Sequence, residues 1–270
     1  MKIATWNVNS IRTRLDQVSD WLQRSEVDVL CLQETKVVDA DFPRSRFEEL
    51  NYHLIVSGQK AYNGVAIVSR QPLESVSRGF APIVGDAIAD DLDDQKRVIT
   101  GIIDGIRIVN LYVPNGSAIG SDKYQYKLRW LAVLRQYLQT LLETDESQNT
   151  EKASPEILVC GDFNIALEDI DIYKAEGRET HIMASDVERQ TLYEILELGF
   201  ADVFRKFTTE SGHFSWWDYR AGSFRRNHGW RIDHHYLTPT LYEHAKDCYI
   251  DAAPRKLTKP SDHAPVVVEI

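Results

Sequence analysis

The stretch Val27–Leu32, which reads VDVLCL and is followed by Gln33-Glu34-Thr35, decides the fold of this chain. Its first part is an almost unbroken apolar run, which is typical of a strand that is covered on both faces. The polar residues that come next would then lie at the end of a buried strand, on a rigid platform. The stretch therefore predicts a sheet between two other layers, with functional side chains at its edge.

The segments on either side of this strand alternate between strand and helix patterns. Asn9 or Ser10 can cap a helix before it, because apolar residues recur every three or four positions over 11–22. The pair Asp104-Gly105 lies between two apolar runs and predicts a tight antiparallel hairpin. Further strands are predicted at 52–57, 64–70, 97–103, 156–160, 231–237, 245–249 and 265–270, and further helices at 123–142 and 187–198.

The chain carries no linker rich in Pro, Gly or Ser that would divide it into domains. The acidic, polar stretch 143–154 is predicted to be a solvated surface loop within one domain. Parallel and antiparallel strands covered by helices favour an α/β sandwich of stacked layers. We therefore expect one domain over residues 1–270.

Composition narrows the class of protein. An apolar fraction of 43% in 270 residues is enough to build a sizeable core, which excludes a disordered chain. The apolar runs are far shorter than the ~20 residues of a membrane-spanning helix, and the first residues lack the apolar core of a secretion signal. Cys31 and Cys160 lie within strand-like runs, as small core residues do. We expect a cytoplasmic protein that does not bind membranes.

Six apolar strands end in polar residues, or contain polar residues, of types that are rare in a protein core. They are Trp6–Asn9, Gln33–Lys36, Asn110–Asn115, Gly161–Asn164, Arg231–Asp233 and Ser261–His263. Carboxylates and amides gathered at one sheet edge repel one another unless a hard cation lies among them, and oxygen ligands of this kind suit Mg²⁺ or Mn²⁺. Zinc is disfavoured, because the three cysteines lack metal-ligand spacing.

These stretches closely resemble the exonuclease III family of abasic-site endonucleases. The motifs WNVNSIR (6–12), LQETK (32–36), GDFN (161–164), GWRID (229–233) and KPSDHAP (259–265) stand in the family's order over essentially the whole chain. The resemblance implies a single endonuclease/exonuclease/phosphatase domain, folded as a four-layered α/β sandwich of two mixed sheets flanked by helices, like deoxyribonuclease I. It also implies a Mg²⁺-dependent hydrolase that cleaves the phosphodiester 5′ to abasic sites in duplex DNA, with 3′-to-5′ exonuclease and 3′-end-trimming activities.

The same resemblance implies which residues act. Glu34 would be the main ligand of Mg²⁺, or of Mn²⁺ as a substitute, and the other candidate ligands are Asn7, Asp162, Asn164, Asp262 and His263. Asp162 would position or deprotonate the attacking water, and Asn164 would help to orient it. Asp233 would hold the His263 imidazole in one tautomer. The choice of Asp162 or His263 as the base stays open.

Contacts with the substrate are implied as well. Tyr112 would face the scissile phosphate, and Asn115 would donate to the same group. An apolar slot that admits a flipped sugar without a base would be formed by Trp216, Trp230 and Ile232. We expect the neighbouring Trp217 mainly to pack in the core. The residues that match positions holding the DNA backbone are Arg12, Lys36, Tyr62 and Arg97.

The net charge of -10 argues at first against a nucleic-acid partner. The charge is uneven, however: residues 86–94 hold five acids and 143–151 hold four, whereas 201–231 carry six Lys or Arg against three acids. Attraction of phosphate depends on the local field and on a bound cation. We therefore expect a monomer that acts on double-stranded DNA with abasic sites or blocked 3′ ends. Two alternatives are a phosphoesterase for lipid or inositol headgroups and an inactive DNA-binding scaffold.

Overall fold

Two mixed β-sheets packed face to face form the centre of the protein in a computed structural model, which describes residues 1–148 and 156–270. The strands are β1 Lys2–Asn7, β2 Val29–Gln33, β3 His53–Ser57, β4 Val65–Ser69, β5 Glu74–Arg78, β6 Val98–Ile103, β7 Ile106–Tyr112, β8 Ile157–Asp162, β9 Ala201–Asp202, β10 Asp233–Leu237, β11 Asp247–Ile250 and β12 Val266–Glu269. The helices are α1 Ile11–Ser25, α2 Arg44–Glu48, α3 Ala81–Val84, α4 Asp86–Ala89, α5 Asp122–Gln148, α6 Asp186–Leu196, α7 Phe204–Phe207, α8 Ser223–Arg226 and α9 Pro239–His244.

The two sheets share one layout. The strand order is β11-β12-β1-β2-β4-β3 in the first sheet and β5-β6-β7-β8-β10-β9 in the second. Each sheet has a parallel pair at its centre, β1 with β2 and β7 with β8, and its other strand pairs are antiparallel. Parallel neighbours end at the same edge of their sheet, so this layout places several strand ends of each sheet side by side.

Three apolar clusters separate four layers. The facing sides of the two sheets bury Ile3, Cys31, Ile67, Ile108, Leu158 and Val268. On the outside of the first sheet, α1 contributes Trp21 and Leu22 to a second cluster. A third cluster joins the second sheet to α5 and α6 through Trp130, Leu134 and Leu192. This arrangement confirms the predicted four-layered sandwich, and the apolar run at 27–32 contributes most of β2, Val29–Gln33, whose residues are all buried.

A polar bridge crosses the apolar interface between the sheets. Asn110 of β7 is fully buried, and its Nδ2 donates to the carbonyl oxygens of Leu32 at 3.0 Å and Ala66 at 2.9 Å. Gln33 of β2 donates from its Nε2 to Asn110 Oδ1 at 2.7 Å and to Thr5 Oγ1 at 2.8 Å. These bonds can be made at only one register of the two sheets, because buried polar groups must find their partners.

The hairpin predicted at Asp104-Gly105 joins β6 to β7, and both turn residues have positive φ, 49° and 81°. The start of α1 differs from the prediction. Ser10 stands at the N-cap position, but its hydroxyl lies 3.1 Å from Thr13 Oγ1 and caps no backbone N–H. The N–H groups of Ser10 and Ile11 instead donate to the carbonyls of Glu34 and Thr35. Backbone carbonyls of the loop after β2 therefore bind the first N–H groups of α1, in place of a side-chain cap.

The predicted loop at 143–154 is wrong in its first part. Helix α5 continues to Gln148, because neither Gly nor Pro interrupts the sequence there, and residues 149–155 lie outside the described part of the chain. The edge strand β5, which is largely exposed and irregularly paired, was not predicted. The cysteines are buried free thiols, as expected of small core residues. Among the described residues, no helix is long and apolar enough to span a membrane.

We expect Gly161→Ala to destabilise the fold strongly. Gly161 in β8 has a φ of +146°, and a Cβ added there would lie 2.0 Å from the carbonyl oxygen of Leu111 in the adjacent strand. Overpacking together with backbone strain is expected to cost about 3 kcal/mol in free energy of unfolding. Urea denaturation measures this. Gly85→Ala is the matched control, because its φ is +88° but no atom lies within 4 Å, so it should cost only about 1 kcal/mol. Equal losses in the two variants would contradict the steric argument.

Candidate active site

Polar side chains from both sheets meet at one edge of the sandwich. Asn7 ends β1, and Glu34 follows β2 directly, so the parallel pairing of these strands places both residues at the same edge. Asp162 ends β8, where it lies beside Tyr112 of β7 and Asp233 of β10. Because the sheets are packed face to face, the residues of the two sheets form one cluster.

The side chain of Asn7 joins the acids of the two sheets. Its Nδ2 donates to Glu34 Oε1 at 3.0 Å and to Asp162 Oδ2 at 2.8 Å. Its Oδ1 accepts the backbone N–H of Asn9 at 3.0 Å, which fixes the orientation of the amide because only an oxygen accepts that proton. Asn7 is fully buried, so it holds the two carboxylates next to each other.

Glu34 is ionised by its neighbours. The Lys36 ammonium lies 2.8 Å from Glu34 Oε2 and donates to Asn9 Oδ1 at 2.6 Å. Burial raises the pKa of Glu34, but the charge of Lys36 and the bond from Asn7 outweigh it, and the pKa is lower than the ordinary value. Glu34 lies in the loop after β2 and has a positive φ of 49°. Its carbonyl accepts the N–H of Ser10 at the start of α1, so the backbone as well as the side chain is held by a partner.

His263 is held by a buried acid. Its Nδ1 lies 2.8 Å from Asp233 Oδ2, and the Ser215 hydroxyl donates to the same oxygen at 2.6 Å. Its Nε2 lies 3.7 Å from Asp162 Oδ2. Burial alone lowers the pKa of His263, but attraction to Asp233 and Asp162 exceeds it and raises the pKa above the ordinary value. The surroundings of His263 therefore favour its protonated form, in which Nδ1 faces Asp233 and Nε2 faces Asp162.

The pKa of Asp162 is shifted in the opposite direction to the pKa of Glu34. It is almost completely buried, with Oδ1 accepting the N–H of Asn164 at 2.9 Å and Oδ2 accepting Asn7. Burial raises the pKa of Asp162 above the ordinary value, and this effect exceeds the opposite effect of the nearby His263 charge. A carboxylate with a raised pKa is a better base, so Asp162 and His263 have the properties of a base and a proton donor.

Tyr112 and the two asparagines line another side of the cluster. The guanidinium of Arg97 lies 4.5 Å from the centre of the Tyr112 ring, and Arg97 is only 9% exposed. Burial raises the pKa of Tyr112 well above its ordinary value, so its hydroxyl keeps a proton to donate. Asn115 is exposed, and its Nδ2 donates to Asn164 Oδ1 at 3.0 Å. A cavity of 660 Å³ adjoins these residues and is lined by Gln59, Tyr62, Arg97, Tyr112, Asn115 and Tyr126, among others.

An apolar group, which we call the tryptophan cluster, lies beside the acids. Trp216 and Trp230 are paired through a β-bridge, and their rings meet edge to face with centroids 6.5 Å apart. Both are half-buried, whereas Ile232 is buried. The cluster is completed by Ala166, Ile172, Met183 and Ala184. Trp217 packs in a separate cluster and is 3% exposed, which confirms the expectation that it is a core residue.

Asp262 connects the tryptophan cluster to the acids. Trp216 Nε1 donates to Asp262 Oδ2 at 3.0 Å, and Asn9 Nδ2 donates to Asp262 Oδ1 at 3.1 Å. Burial raises the pKa of Asp262, but His263 and these bonds outweigh it, so the pKa is below the ordinary value. Of the residues expected to hold DNA, Arg12 is exposed in the first turn of α1, and Tyr62 is 69% exposed. Lys36 and Arg97 are engaged with site residues, as described above.

The donor set at Glu34 fits a hard divalent cation. Asp162, Asp233 and His263 have potential ligand atoms within 4.8 Å of one another. Asp233 and His263 face each other across a direct hydrogen bond, however, which engages both groups. Glu34 pairs with a cation, the Lys36 ammonium, at 2.8 Å, and its carboxylate lies beside that of Asp162 across the Asn7 amide. Carboxylate oxygens are ligands that Mg²⁺ selects, so the residues at Glu34 fit a hard divalent cation.

Sequence reasoning missed the residues that hold the site in place. The Ser215 hydroxyl accepts the backbone N–H groups of Ile232 and Asp233, both at 3.1 Å. Arg231 is buried and stands in the sequence between Trp230 and Ile232 of the tryptophan cluster. Its guanidinium donates to Asp171 at 2.7 Å and to Asp202 at 2.6 Å. The arginine within the motif GWRID was a usable signal, because a buried guanidinium requires acidic partners.

Comparison with known proteins identifies the class to which this fold and site belong. The model of the endonuclease/exonuclease/phosphatase family matches residues 4–263, and the chain belongs to this family. Exodeoxyribonuclease III of Haemophilus influenzae is 34% identical over 281 residues, with 100% of this chain and 99% of that protein covered.

Solved structures agree with the family. An AP endonuclease from Archaeoglobus fulgidus superimposes with a TM-score of 0.89 at 42% sequence identity, covering 100% of this chain and 99% of that one. The 3′ phosphatase NExo from Neisseria, solved with a product DNA hairpin, gives a TM-score of 0.91 at 40% identity with the same coverage. The resemblance to the exonuclease III family that the motifs indicated is thereby confirmed over the whole chain.

We expect Asp171→Asn to change how stability depends on pH. Burial raises the pKa of Asp171, but Arg231 outweighs it and lowers the pKa to about 2. A group whose pKa is lowered on folding stabilises the protein above its unfolded pKa of about 4, and this contribution disappears as the pH falls through the folded pKa. The shift corresponds to about 2 kcal/mol. The difference in free energy of unfolding between wild type and variant should shrink by that amount progressively from about pH 5 to pH 1, as measured by denaturant titration. A constant difference would contradict the assignment.

Proposed function

We propose that the protein is a DNA repair nuclease that hydrolyses the phosphodiester 5′ to abasic sites in duplex DNA, with 3′-to-5′ exonuclease and 3′-end-trimming activities. The observation that carries the proposal is the single amide of Asn7 joining Glu34 to Asp162, beside the His263–Asp233 pair. Relatives named as exodeoxyribonuclease and as AP endonuclease, each matched over nearly the whole chain, support the choice of DNA as substrate.

Two groups move protons in this proposal. Asp162 accepts a proton from the attacking water, because its raised pKa makes it the stronger base, and Asn164 helps to orient that water. His263, protonated and held through Nδ1 by Asp233, directs its Nε2 proton at a phosphoryl oxygen and stabilises the charge that develops there. On these grounds we propose Asp162, and not His263, as the base.

The remaining residues bind and orient. Mg²⁺, with Mn²⁺ as a substitute, would be held by Glu34, with Asn7, Asp162, Asn164 and Asp262 as the surrounding candidates. His263 leaves the set of candidate ligands in this proposal, because both of its ring nitrogens carry protons. The ion would polarise the phosphate and stabilise the leaving 3′ oxygen. Tyr112 donates its hydroxyl proton to the phosphate, and Asn115 donates to the same group. The tryptophan cluster, with Ile232 in its floor, admits the sugar that lacks a base. Arg12, Lys36, Tyr62 and Arg97 hold the DNA backbone.

We propose further that the protein is a cytoplasmic monomer. Its buried free cysteines suit a reducing compartment. The net charge of -10 is compatible with DNA binding, since exposed Arg225 and Arg226 of α8 lie in the basic segment that carries Trp216 and Trp230. Non-specific affinity should be weak and should fall as salt rises.

We expect nicking at full rate to need both Glu34, the cation ligand, and Asp162, the base. The substrate is a duplex that carries one abasic analogue, incubated with Mg²⁺ or with EDTA. Wild type should nick it 5′ to the lesion only with Mg²⁺. Asp162→Asn, which keeps the shape of the side chain, should lower kcat by about 10²- to 10⁴-fold, because it removes the base. Glu34→Ala should require a higher Mg²⁺ concentration, since it removes the main cation ligand.

Glu176→Gln, at an exposed acid outside the cluster, is the control and should cut like wild type. Nicking by wild type in EDTA, or an absence of nicking in Mg²⁺, would contradict the proposal. The same preparation is offered phosphoinositide and lipid-headgroup phosphates, and hydrolysis of those alone would favour the other phosphoesterase class.

We expect Asp233→Asn to lower kcat and leave KM almost unchanged. The variant amide carries no negative charge to stabilise protonated His263, so the imidazole becomes neutral and stabilises the developing charge on the phosphoryl oxygen less strongly. Loss of such an orienting acid costs about 10²- to 10⁴-fold in rate. Steady-state kinetics on the abasic duplex measure both constants. Asp28→Asn serves as control, because Asp28 accepts the Lys2 N–H at 2.7 Å at the opposite end of β1. A change in KM alone would argue against this role for the pair.

A further inference from the structure

A buried ion pair lies beneath the candidate active site. Lys127 of α5 and Glu188 of α6 are both fully buried, and Lys127 Nζ bonds Glu188 Oε1. Neither residue belongs to the cluster of candidate catalytic groups, and neither stands in a motif at a strand end. A buried charged pair is costly to desolvate, so a pair that contributed only stability would gain little over apolar residues of the same size.

The ammonium of Lys127 has two further partners, and both are backbone groups of candidate site residues. Its Nζ donates to the carbonyl oxygen of Asn164 at 2.8 Å and to that of Asn115 at 3.2 Å. Three N–H donors thus meet three acceptors, which satisfies the group completely. No apolar side chain could bind these two carbonyls, because both need a donor.

The two carbonyls belong to loops that carry the reaction. Asn164 has a positive φ of 49°, and its backbone N–H donates to the Asp162 carboxylate. Its side chain donates to the Val113 carbonyl at 2.9 Å and accepts from Asn115. The loop after β7 and the loop after β8 are therefore tied to each other at the surface by side chains and from below by Lys127.

Glu188 extends the same connection to the tryptophan cluster. Its Oε1 accepts the backbone N–H of Met183 at 3.1 Å, and its Oε2 accepts the backbone N–H of Ser185 at 3.1 Å. Ser185 in turn caps α6 and contacts the hydroxyl of Tyr124 at 2.8 Å. One ion pair therefore holds the two asparagine loops and the segment that carries Met183.

We propose that Lys127 is a positioning residue for phosphodiester hydrolysis, which fixes Asn115 and Asn164, and through Asn164 the Asp162 carboxylate, in reactive geometry. The proposal rests on the proposed function, because it concerns the same site. Lys127 touches neither substrate nor cation and acts through the two carbonyls. Misplacement of reacting groups by about 1 Å costs about 10²-fold in rate, so its effect falls on kcat.

Two variants separate positioning from stability. Lys127→Met leaves the Glu188 carboxylate buried without a positive charge beside it, so the variant should be less stable and kcat should fall by about 10- to 100-fold. Lys127→Met/Glu188→Gln removes both charges and should be more stable than Lys127→Met, although the new amide can accept only one of the N–H groups of Met183 and Ser185. Its kcat on the abasic duplex should nevertheless stay about 10- to 100-fold below wild type, with KM changed less than about 2-fold, because the carbonyls still lack their donor.

Leu138→Ala is the matched control, since Leu138 is buried in the same helix but packs in the outer core. It should lose stability and keep kcat. If the double variant does not fold, Lys127→Met and Leu138→Ala are compared at a temperature where circular dichroism shows both folded, and equal kcat values would overturn the proposal. Recovery of kcat together with stability in the double variant would overturn it as well. An inactive wild type would instead refute the proposed function.

Discussion

The register between the two sheets is the constraint on which the site depends. It is set by the side chains of Asn110 and Gln33, which hydrogen-bond across a largely apolar interface. A buried amide that lost its partners would cost about 1–3 kcal/mol, so displacement of one sheet along the other is opposed at this point. Gln33 directly precedes Glu34, and Asn110 lies two residues before Tyr112. The bridge thus controls how the acids of the two sheets meet.

Opposite electrostatic environments at that edge give similar groups different roles. Glu34 and Asp162 are both carboxylates bonded to one amide, yet Lys36 lowers the pKa of the first while burial raises the pKa of the second. His263 remains charged because its two acidic neighbours compensate for its burial. Their positions alone therefore give three ordinary side chains different properties: a carboxylate with a lowered pKa, a carboxylate with a raised pKa and an imidazole with a raised pKa.

The sequence was informative wherever a local pattern determines a local structure. The apolar run at 27–32, the Asp104-Gly105 turn and the polar strand ends follow from backbone geometry, and the fold that they indicated is the fold observed. Lys127 and Ser215 could not be found in this way, because their partners lie far away in sequence and neither residue stands out among its neighbours. Helix α5 beyond residue 142 was missed since a polar surface helix resembles a loop in composition.

The site joins residues from opposite ends of the described chain. The Ser261 hydroxyl donates to the Asn7 carbonyl, and Trp6 Nε1 donates to the His263 carbonyl, across 254 and 257 positions of sequence. Strand β12 pairs antiparallel with β1 beside these contacts. Contacts this distant carry a large loop-closure entropy and slow the folding of a chain. The edge that carries Asn7 and His263 therefore forms only when the two ends of the described chain have come together.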